Sequence, residues 1–325
     1  VASVVLVTGV SRYLGGRVAV RLSQHPDIER VVGVDVIPPP HDIGTTEFVR
    51  ADIRNPMIGR IIEQTGVDTV VHMNVIATPT FAGGRTSQKE INVIGTMQLL
   101  AACQKAPSVT RLVVKSSAAV YGSSAKDPAM FTEGMTAREM PRTGFGKDSV
   151  EVEGYVRGLS RRRPDTAICM LRFANIIGPG IRTSMTDYFA LPVLPAPMGH
   201  VARMQFVHED DAVDVLVQAT LGDVAGIVNI AGDGVMTVGQ AAGLLRRPLV
   251  PLPSFAAGPV GSVIKRSGAA DFSPDQVRFL SYGRGLDTTA MREVLGFEPR
   301  YTTREAFEDL VRSLRGQSAR GLEAS

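Results

Sequence analysis

The feature that most constrains this chain is at its start, where the apolar run VVLV (residues 4–7) passes through TGVSRYLGG (residues 8–16) into a segment with helical apolar spacing. A strand, a glycine turn and a helix in direct succession is the context in which glycines cradle a phosphate. Gly9 allows the turn, and Gly15 lets the helix start close to the strand. The unpaired N–H groups and positive end of that helix then face a pyrophosphate. Gly9, Arg12, Tyr13, Leu14 and Gly15 form this candidate cofactor-binding turn. Arg12 stands at the middle glycine position of the usual G-x-x-G-x-x-G. Its side chain narrows the approach to the backbone, but its guanidinium can itself meet a phosphate.

Asp35 ends the next β-branched run, twenty residues after Gly15. A carboxylate there hydrogen-bonds both hydroxyls of an adenosine ribose and repels a 2′-phosphate, which favours NAD over NADP. Asp52 and Ile53, just after the third run, fall where such a fold lines an adenine pocket.

Strand-like segments 4–7, 30–34, 47–49, 69–72, 111–115 and 166–171 alternate with helical patterns at 14–23, 88–105 and 148–160. This alternation predicts an α/β fold, a Rossmann-type doubly wound parallel sheet with helices on both faces. After residue 177 the rhythm changes. Prolines 179, 192, 195 and 197 punctuate a loop-rich stretch, strand-like 205–207 and 227–230 follow, and a second Pro/Gly-rich stretch covers 248–261. The expected organisation is a nucleotide-binding domain over 1–176, rejoined by 204–232, and a smaller interleaved substrate lobe from 177–203 and 233–325. Helical patterns at 240–246 and 304–315 belong to that lobe, and residues 317–325 are expected to fray.

The chain of 325 residues is 44% hydrophobic and 21% charged, as folded globular chains are. A net charge of +3 from interleaved acids and bases gives no nucleic-acid-binding surface, and the densest basic cluster is only Arg161, Arg162 and Arg163. Cys103 and Cys169 have neither disulfide-framework nor zinc spacing, and His25, His41 and His200 lie in loops without metal-ligand spacing. The scattered methionines read as core filler. No run approaches the roughly 18 apolar residues that span a bilayer, so the expectation is a cytoplasmic protein without membrane or metal.

Further motifs, in order and spacing along nearly the whole chain, make it resemble the extended (atypical) short-chain dehydrogenase/reductases, and among them the nucleotide-sugar 4-epimerases. They are NVIGTMQLL (92–100), SSAAVYG (116–122), FTE (131–133), KDSVE (147–151), RFANIIGPG (172–180) and FVHEDDAVDVL (206–216). Asp287, Leu295, Gly296, Phe297 and Pro299 match the family's closing D-x7-L-G-[FW]-x-P segment. The resemblance implies bound NAD, a nucleotide-sugar substrate, and a homodimer pairing helices 88–105 and 148–160. It places Asn74 and Asn92 at the cofactor, Asn175 and Arg203 at the substrate's diphosphate, and His208 at a loop junction.

In the family a Ser or Thr of SSxxVYG and a Tyr–Lys pair in YxxxK work beside the nicotinamide. Ser117 takes the hydroxyl role, touching the substrate, and Lys147 the lysine role. The tyrosine is replaced: PRTGFGK (141–147) parallels the family's P-x-Y-G-x-S-K with Thr143 at its position. An aliphatic hydroxyl ionises far above a phenol's pKa of about 10, too far for one lysine to correct. Tyr155, eight residues past Lys147, is roughly 12 Å away along the helix axis. Met73 and Asn74 replace small residues at the nicotinamide end, leaving His72, Glu133 or the substrate as alternative bases. Ala118 and Ala119 stand where 4,6-dehydratases carry an acidic pair, which argues against dehydration.

Overall fold

The computed structural model of the chain describes residues 3–78, 82–253 and 273–323. Side-chain alternation in β1 (Val4–Thr8) sets its layers. Val5 and Val7 enter one apolar cluster and Val4 and Leu6 another, one on each side of the sheet. A strand apolar on both faces belongs in the interior of a parallel sheet, and β1 lies there.

The first half continues with α1 (Tyr13–Ser23), β2 (Arg30–Asp35), β3 (Glu47–Arg50), α2 (Met57–Thr65) and β4 (Thr69–His72). Next, α3 (Arg85–Lys89) runs through a π-helical turn, Glu90–Gly95, into α4 (Thr96–Lys105). There follow β5 (Arg111–Ser117) with a 3₁₀ turn at Ala118–Tyr121, α5 (Gly144–Arg162), β6 (Ala167–Phe173) and β7 (Asn175–Ile177). The second half comprises α6 (Ser184–Ala190), β8 (Leu194–Pro197), β9 (Arg203–Met204), β10 (Phe206–His208), α7 (Glu209–Leu221) and β11 (Gly226–Ile230). It closes with β12 (Met236–Thr237), α8 (Val238–Leu245), β13 (Leu249–Leu252), α9 (Pro274–Tyr282), β14 (Gly283–Arg284), α10 (Thr289–Glu293) and α11 (Thr303–Glu323).

Seven parallel strands form the central sheet in the order β11-β6-β5-β4-β1-β2-β3. The order reverses between β1 and β4, and ligands of open α/β sheets bind beyond the carboxyl ends of the strands at such a point. Helices α1 and α7 cover one face through Val18, Leu22, Val213 and Leu216. On the other, α2, α4 and α5 contribute Ile58, Ile62, Leu99, Val156 and Leu159.

A third cluster builds the smaller lobe around Tyr188, Phe189, Phe206 and Phe307, with Phe189 and Phe307 edge to face at 4.8 Å between centroids. The first proline-rich stretch, expected to be loop-rich, and the start of the second each hold a short strand, and β8 and β13 pair in parallel; residues 254–261 of the second lie outside the described residues. Proline lacks the donor a central strand needs, which suits a two-stranded edge arrangement. Met291, Leu295 and Phe297, expected with the lobe, pack instead in the cluster under α7. α11 is helical through Glu323, and residues 324–325 of the stretch expected to fray lie outside the described residues.

Candidate active site

The glycine turn follows β1 directly. Gly9 adopts φ +77°, a left-handed conformation that favours glycine, and its N–H bonds Val34 O at 2.8 Å. A Cβ on Gly15 would sit 2.1 Å from the Gly9 carbonyl, so only glycine lets α1 start this close to the strand. Arg12 is the N-cap of α1 in extended conformation, and its N–H bonds Gly9 O at 3.1 Å. Its guanidinium is partly buried, which lowers its pKa, while the nearby Asp35 charge opposes that shift.

Asp35, 5% exposed at the end of β2, accepts from the N–H groups of Ser11 at 3.1 Å and Val36 at 2.7 Å. Two carboxylate lone-pair positions remain for other donors. Tyr13 donates its hydroxyl to Glu209 at 2.7 Å, tying α1 to α7, and burial with that bond pushes its pKa up to about 12. Leu14 is buried in the core. Asp52 is gripped by Arg54, which reaches it through Nε at 3.0 Å and Nη2 at 2.6 Å and holds its pKa low. Ile53 packs beneath the π-helical turn, where a Cβ on Gly95 would fall 2.8 Å from its Cδ1.

Asn92, expected at the cofactor, has both ends of its amide engaged by Ile76: Oδ1 accepts from its N–H at 2.8 Å and Nδ2 donates to its carbonyl at 2.9 Å. It pins the segment after β4. Asn74 in that segment lies against the glycine turn, with Oδ1 only 2.6 Å from where a Gly9 Cβ would be. Lys115 escaped the sequence reading. It lies two residues before Ser117 on β5 and therefore on the same face of the strand. Its Nζ donates to Val75 O at 3.0 Å, and burial together with the Arg12 charge pushes its pKa down to about 8. A lysine inside the run LVVKSS was the available signal.

Ser117 ends β5, and its Oγ accepts from Ala119 N at 3.1 Å, which caps the 3₁₀ turn. Thr143 is the exposed N-cap of α5, one helical turn before Lys147, whose N–H reaches Thr143 O at 3.4 Å. The first turn of α5 packs on the 3₁₀ turn after Ser117, since a Cβ on Gly146 would lie 3.1 Å from Ala119 O. Lys147 is half-exposed, with Nζ 3.8 Å from Glu151.

Behind Thr143 is a residue from the other lobe, Asp275 of α9. Its carboxyl packs against the start of α5, where a Cβ on Gly144 would fall 2.2 Å from Oδ2, and weighs on the neighbouring Thr143 hydroxyl; Oδ2 is buried without a hydrogen-bond partner among the described residues. Burial raises its pKa against the opposing charges of Arg278, Arg284 and Arg85. Arg85 also clamps Asp148 of α5 and donates to Gly144 O at 3.0 Å. Arg284 reaches Gly122 O at 2.7 Å and Ser123 Oγ at 3.1 Å, with its pKa driven down to about 10 by burial.

A buried network fixes the floor. Arg172 binds Glu153 through Nε at 2.9 Å and Nη2 at 2.6 Å and Tyr121 OH at 2.7 Å, and Ser116 Oγ donates to Glu153 at 2.7 Å. Glu133 belongs to this scaffold, accepting from Asn229 N at 2.9 Å. His72 is removed as a base: it is fully buried between Thr8 Oγ1 at 3.0 Å and Thr96 Oγ1 at 2.8 Å, and burial pushes its pKa down to about 3.

Asn175 is half-buried on β7 in register with Phe206, while Arg203 on β9 is exposed. His208 caps α7 through Asp210 N at 3.1 Å and meets Asp309 at 3.1 Å, fixing a loop junction. Both cysteines are buried, with pKa values pushed up to about 12 for Cys103 and about 11 for Cys169. Among the described residues no acidic, His or Cys cluster could hold a metal, and no helix is long and apolar enough to cross a membrane.

Comparisons with known proteins agree with this architecture. An uncharacterized protein of Mycobacterium tuberculosis (strain ATCC 25618 / H37Rv) is 48% identical over 313 residues, 95% of this chain and 83% of that protein. Among solved structures, the UDP-glucose 4-epimerase of Thermotoga maritima with UDP-glucose superposes with a TM-score of 0.74 at 19% identity, covering 97% of this chain and 99% of that one. The UDP-glucose 4-epimerase of Stenotrophomonas maltophila, with bound NAD and formylated UDP-arabinopyranose, gives 0.74 at 20% identity over 98% and 99%. At these identities the structures speak for the fold. The family model described as NAD dependent epimerase/dehydratase family matches residues 5–231, and the chain belongs to that family.

Proposed function

We propose that the chain binds NAD and epimerises a nucleotide-activated sugar in the cytoplasm by transient oxidation and re-reduction of one carbon. The observation that carries this reading is the placement of Thr143 and Lys147 on successive turns of α5 against the turn that follows Ser117, on the sheet that holds the glycine turn. Gly9 makes the turn and Gly15 lets α1 start hard against it, which aims the helix N-terminus past the end of β1, and Asp35 keeps two acceptor positions. Both features fit the pyrophosphate and ribose of a dinucleotide. NAD, when bound, supplies the hydride acceptor and donor.

Arg12, Tyr13 and Leu14 complete the pyrophosphate turn, and Asp35 selects NAD over NADP. Asp52 and Ile53 flank the adenine, Asn92 holds Asn74 at the nicotinamide side, and Lys147 binds the ribose. Ser117 and Thr143 hold the sugar hydroxyl, while Asn175 and Arg203 meet the diphosphate. A homodimer forms through α4 and α5.

A second reading, an NAD-binding sensor or assembly protein without turnover, is favoured by one observation: an aliphatic hydroxyl stands where the family has a phenol. Incubation with NAD and UDP-glucose, followed by proton NMR of the anomeric signals, separates the two. Appearance of the C4 epimer is expected, whereas no product from UDP-glucose or several other UDP-sugars would leave the second reading.

A further inference from the structure

Asp275 is a carboxylate in an expensive place. Its Oδ2 is buried with no hydrogen-bond partner among the described residues, and an unsatisfied buried acceptor destabilises the fold that holds it. It lies in the smaller lobe, 132 residues along the chain from the α5 N-cap, yet it packs so tightly there that a Cβ on Gly144 would fall 2.2 Å from Oδ2. The Thr143 hydroxyl, on the residue next to Gly144, is close enough to weigh on its charge. Thr143 is exposed while the carboxylate oxygen behind it is buried. A hydroxyl in front of a buried carboxyl, at the position of the family's missing phenol, is the arrangement of a relay.

We propose that Asp275 is the proton acceptor of this site, acting through the Thr143 hydroxyl. The inference rests on the epimerase reading above. In the oxidising direction the O–H bond of the sugar hydroxyl breaks, and its proton passes to Thr143 Oγ1 as the proton of Thr143 passes to the Asp275 carboxylate. The carbon becomes a carbonyl, oxidised by loss of its hydride to the nicotinamide of the proposed cofactor. Once the carbonyl presents its other face, re-reduction returns the hydride to that face and the proton by way of Thr143, which gives the epimer and leaves Asp275 again a carboxylate. Thr143 thus never ionises, so the high pKa of an aliphatic hydroxyl is no obstacle.

The charged groups facing Asp275 are Arg85 from α3, Arg278 on its own helix and Arg284 from β14. They favour its ionised form, and burial opposes them more strongly, so its proton affinity is shifted toward working pH. A base must start deprotonated, and turnover therefore falls as pH drops through the raised pKa of Asp275.

Two readouts on the full chain test this. Carbon-13 NMR of carboxyl-labelled aspartate, with the signal assigned by its loss in Asp275→Asn, gives the titration without any substrate. The kcat pH profile with NAD and UDP-glucose gives the catalytic limb. A signal titrating above the free-aspartate value of about 3.9, a matching acidic limb, and a loss of about 10²-fold or more in Asp275→Asn with NAD binding retained are expected. Recovery of turnover in Thr143→Tyr/Asp275→Asn, where a phenol replaces the relay, would add support. Ordinary titration of Asp275, or an Asp275→Asn protein as active as the wild type, overturns the assignment and leaves the epimerase reading standing. A wild-type chain that binds NAD yet epimerises no UDP-sugar removes both. If Asp275→Asn fails to fold, Asp275→Ser assigns the signal instead, and the wild-type titration and pH limb decide.

Discussion

Lys115 shows how a single residue changes the character of the nucleotide groove. Its ammonium feels the charge of the Arg12 guanidinium, is bonded to Val75 O, and has its pKa pushed down to about 8 by burial and by Arg12. The unfolded chain holds that proton up to about pH 10.4. Between those values the unfolded state binds more protons, so stability rises with pH from about 8 to about 10, and the contribution is flat below both. Urea unfolding of the wild type should gain on the order of 2 kcal/mol across that window relative to Lys115→Met. Equal pH dependence in the two proteins would mean that Lys115 is hydrated. Some residue-scale features were legible from spacing alone: Gly9, Gly15 and Asp35 in one strand–turn–helix–strand unit, Thr143 and Lys147 four apart. Asp275 was not, because tertiary packing brings it to Thr143 from a distant segment. His72 looked like an available base only because sequence does not reveal that both ring nitrogens are bonded inside the core.

At the scale of elements, apolar strands between helical patterns were readable because a parallel sheet buries both faces of its strands. The predicted runs at 4–7, 30–34, 47–49, 69–72 and 111–115 all fall inside sheet strands. The short strands β7, β8, β9, β12 and β13 were not readable, since two to four residues carry no period and their pairing is set by tertiary contacts. The π-helical turn at Glu90–Gly95 was likewise hidden: it depends on Asn92 bonding the Ile76 backbone and on Gly95 giving way to Ile53. The helices also carry a prediction. Ile94 in the π turn and Tyr155 on α5 are large apolar residues left 41% and 38% exposed, as the pairing of two copies through α4 and α5 would require. Light scattering at micromolar concentration should give twice the chain mass of 34.7 kDa, and Tyr155→Glu should shift it toward the monomer. A monomeric wild type would remove the dimer.

Among the described residues, the three largest apolar clusters divide most of the work. Two hold the sheet between its helix layers, and the third builds the lobe that delivers Asp275 and Arg284 to the carboxyl edge of the sheet. The fold class followed from the order of patterns along the chain. An interleaved lobe was expected from the change of rhythm after residue 177, but not the return of residues 289–297 under α7 while α11 joins the lobe, a division made by packing rather than by composition. The central claim is that the groove between β1 and β4 holds NAD. Its most direct test is calorimetric titration of the purified chain, freed of carried-over nucleotide, with NAD and with NADP. Saturable NAD binding, weaker NADP binding and a loss of about tenfold or more in Asp35→Ala are expected, tenfold being about 1.4 kcal/mol. Binding of neither nucleotide would mean that Arg12, Asn74 and Lys115 have closed the groove and that the scaffold has left this chemistry.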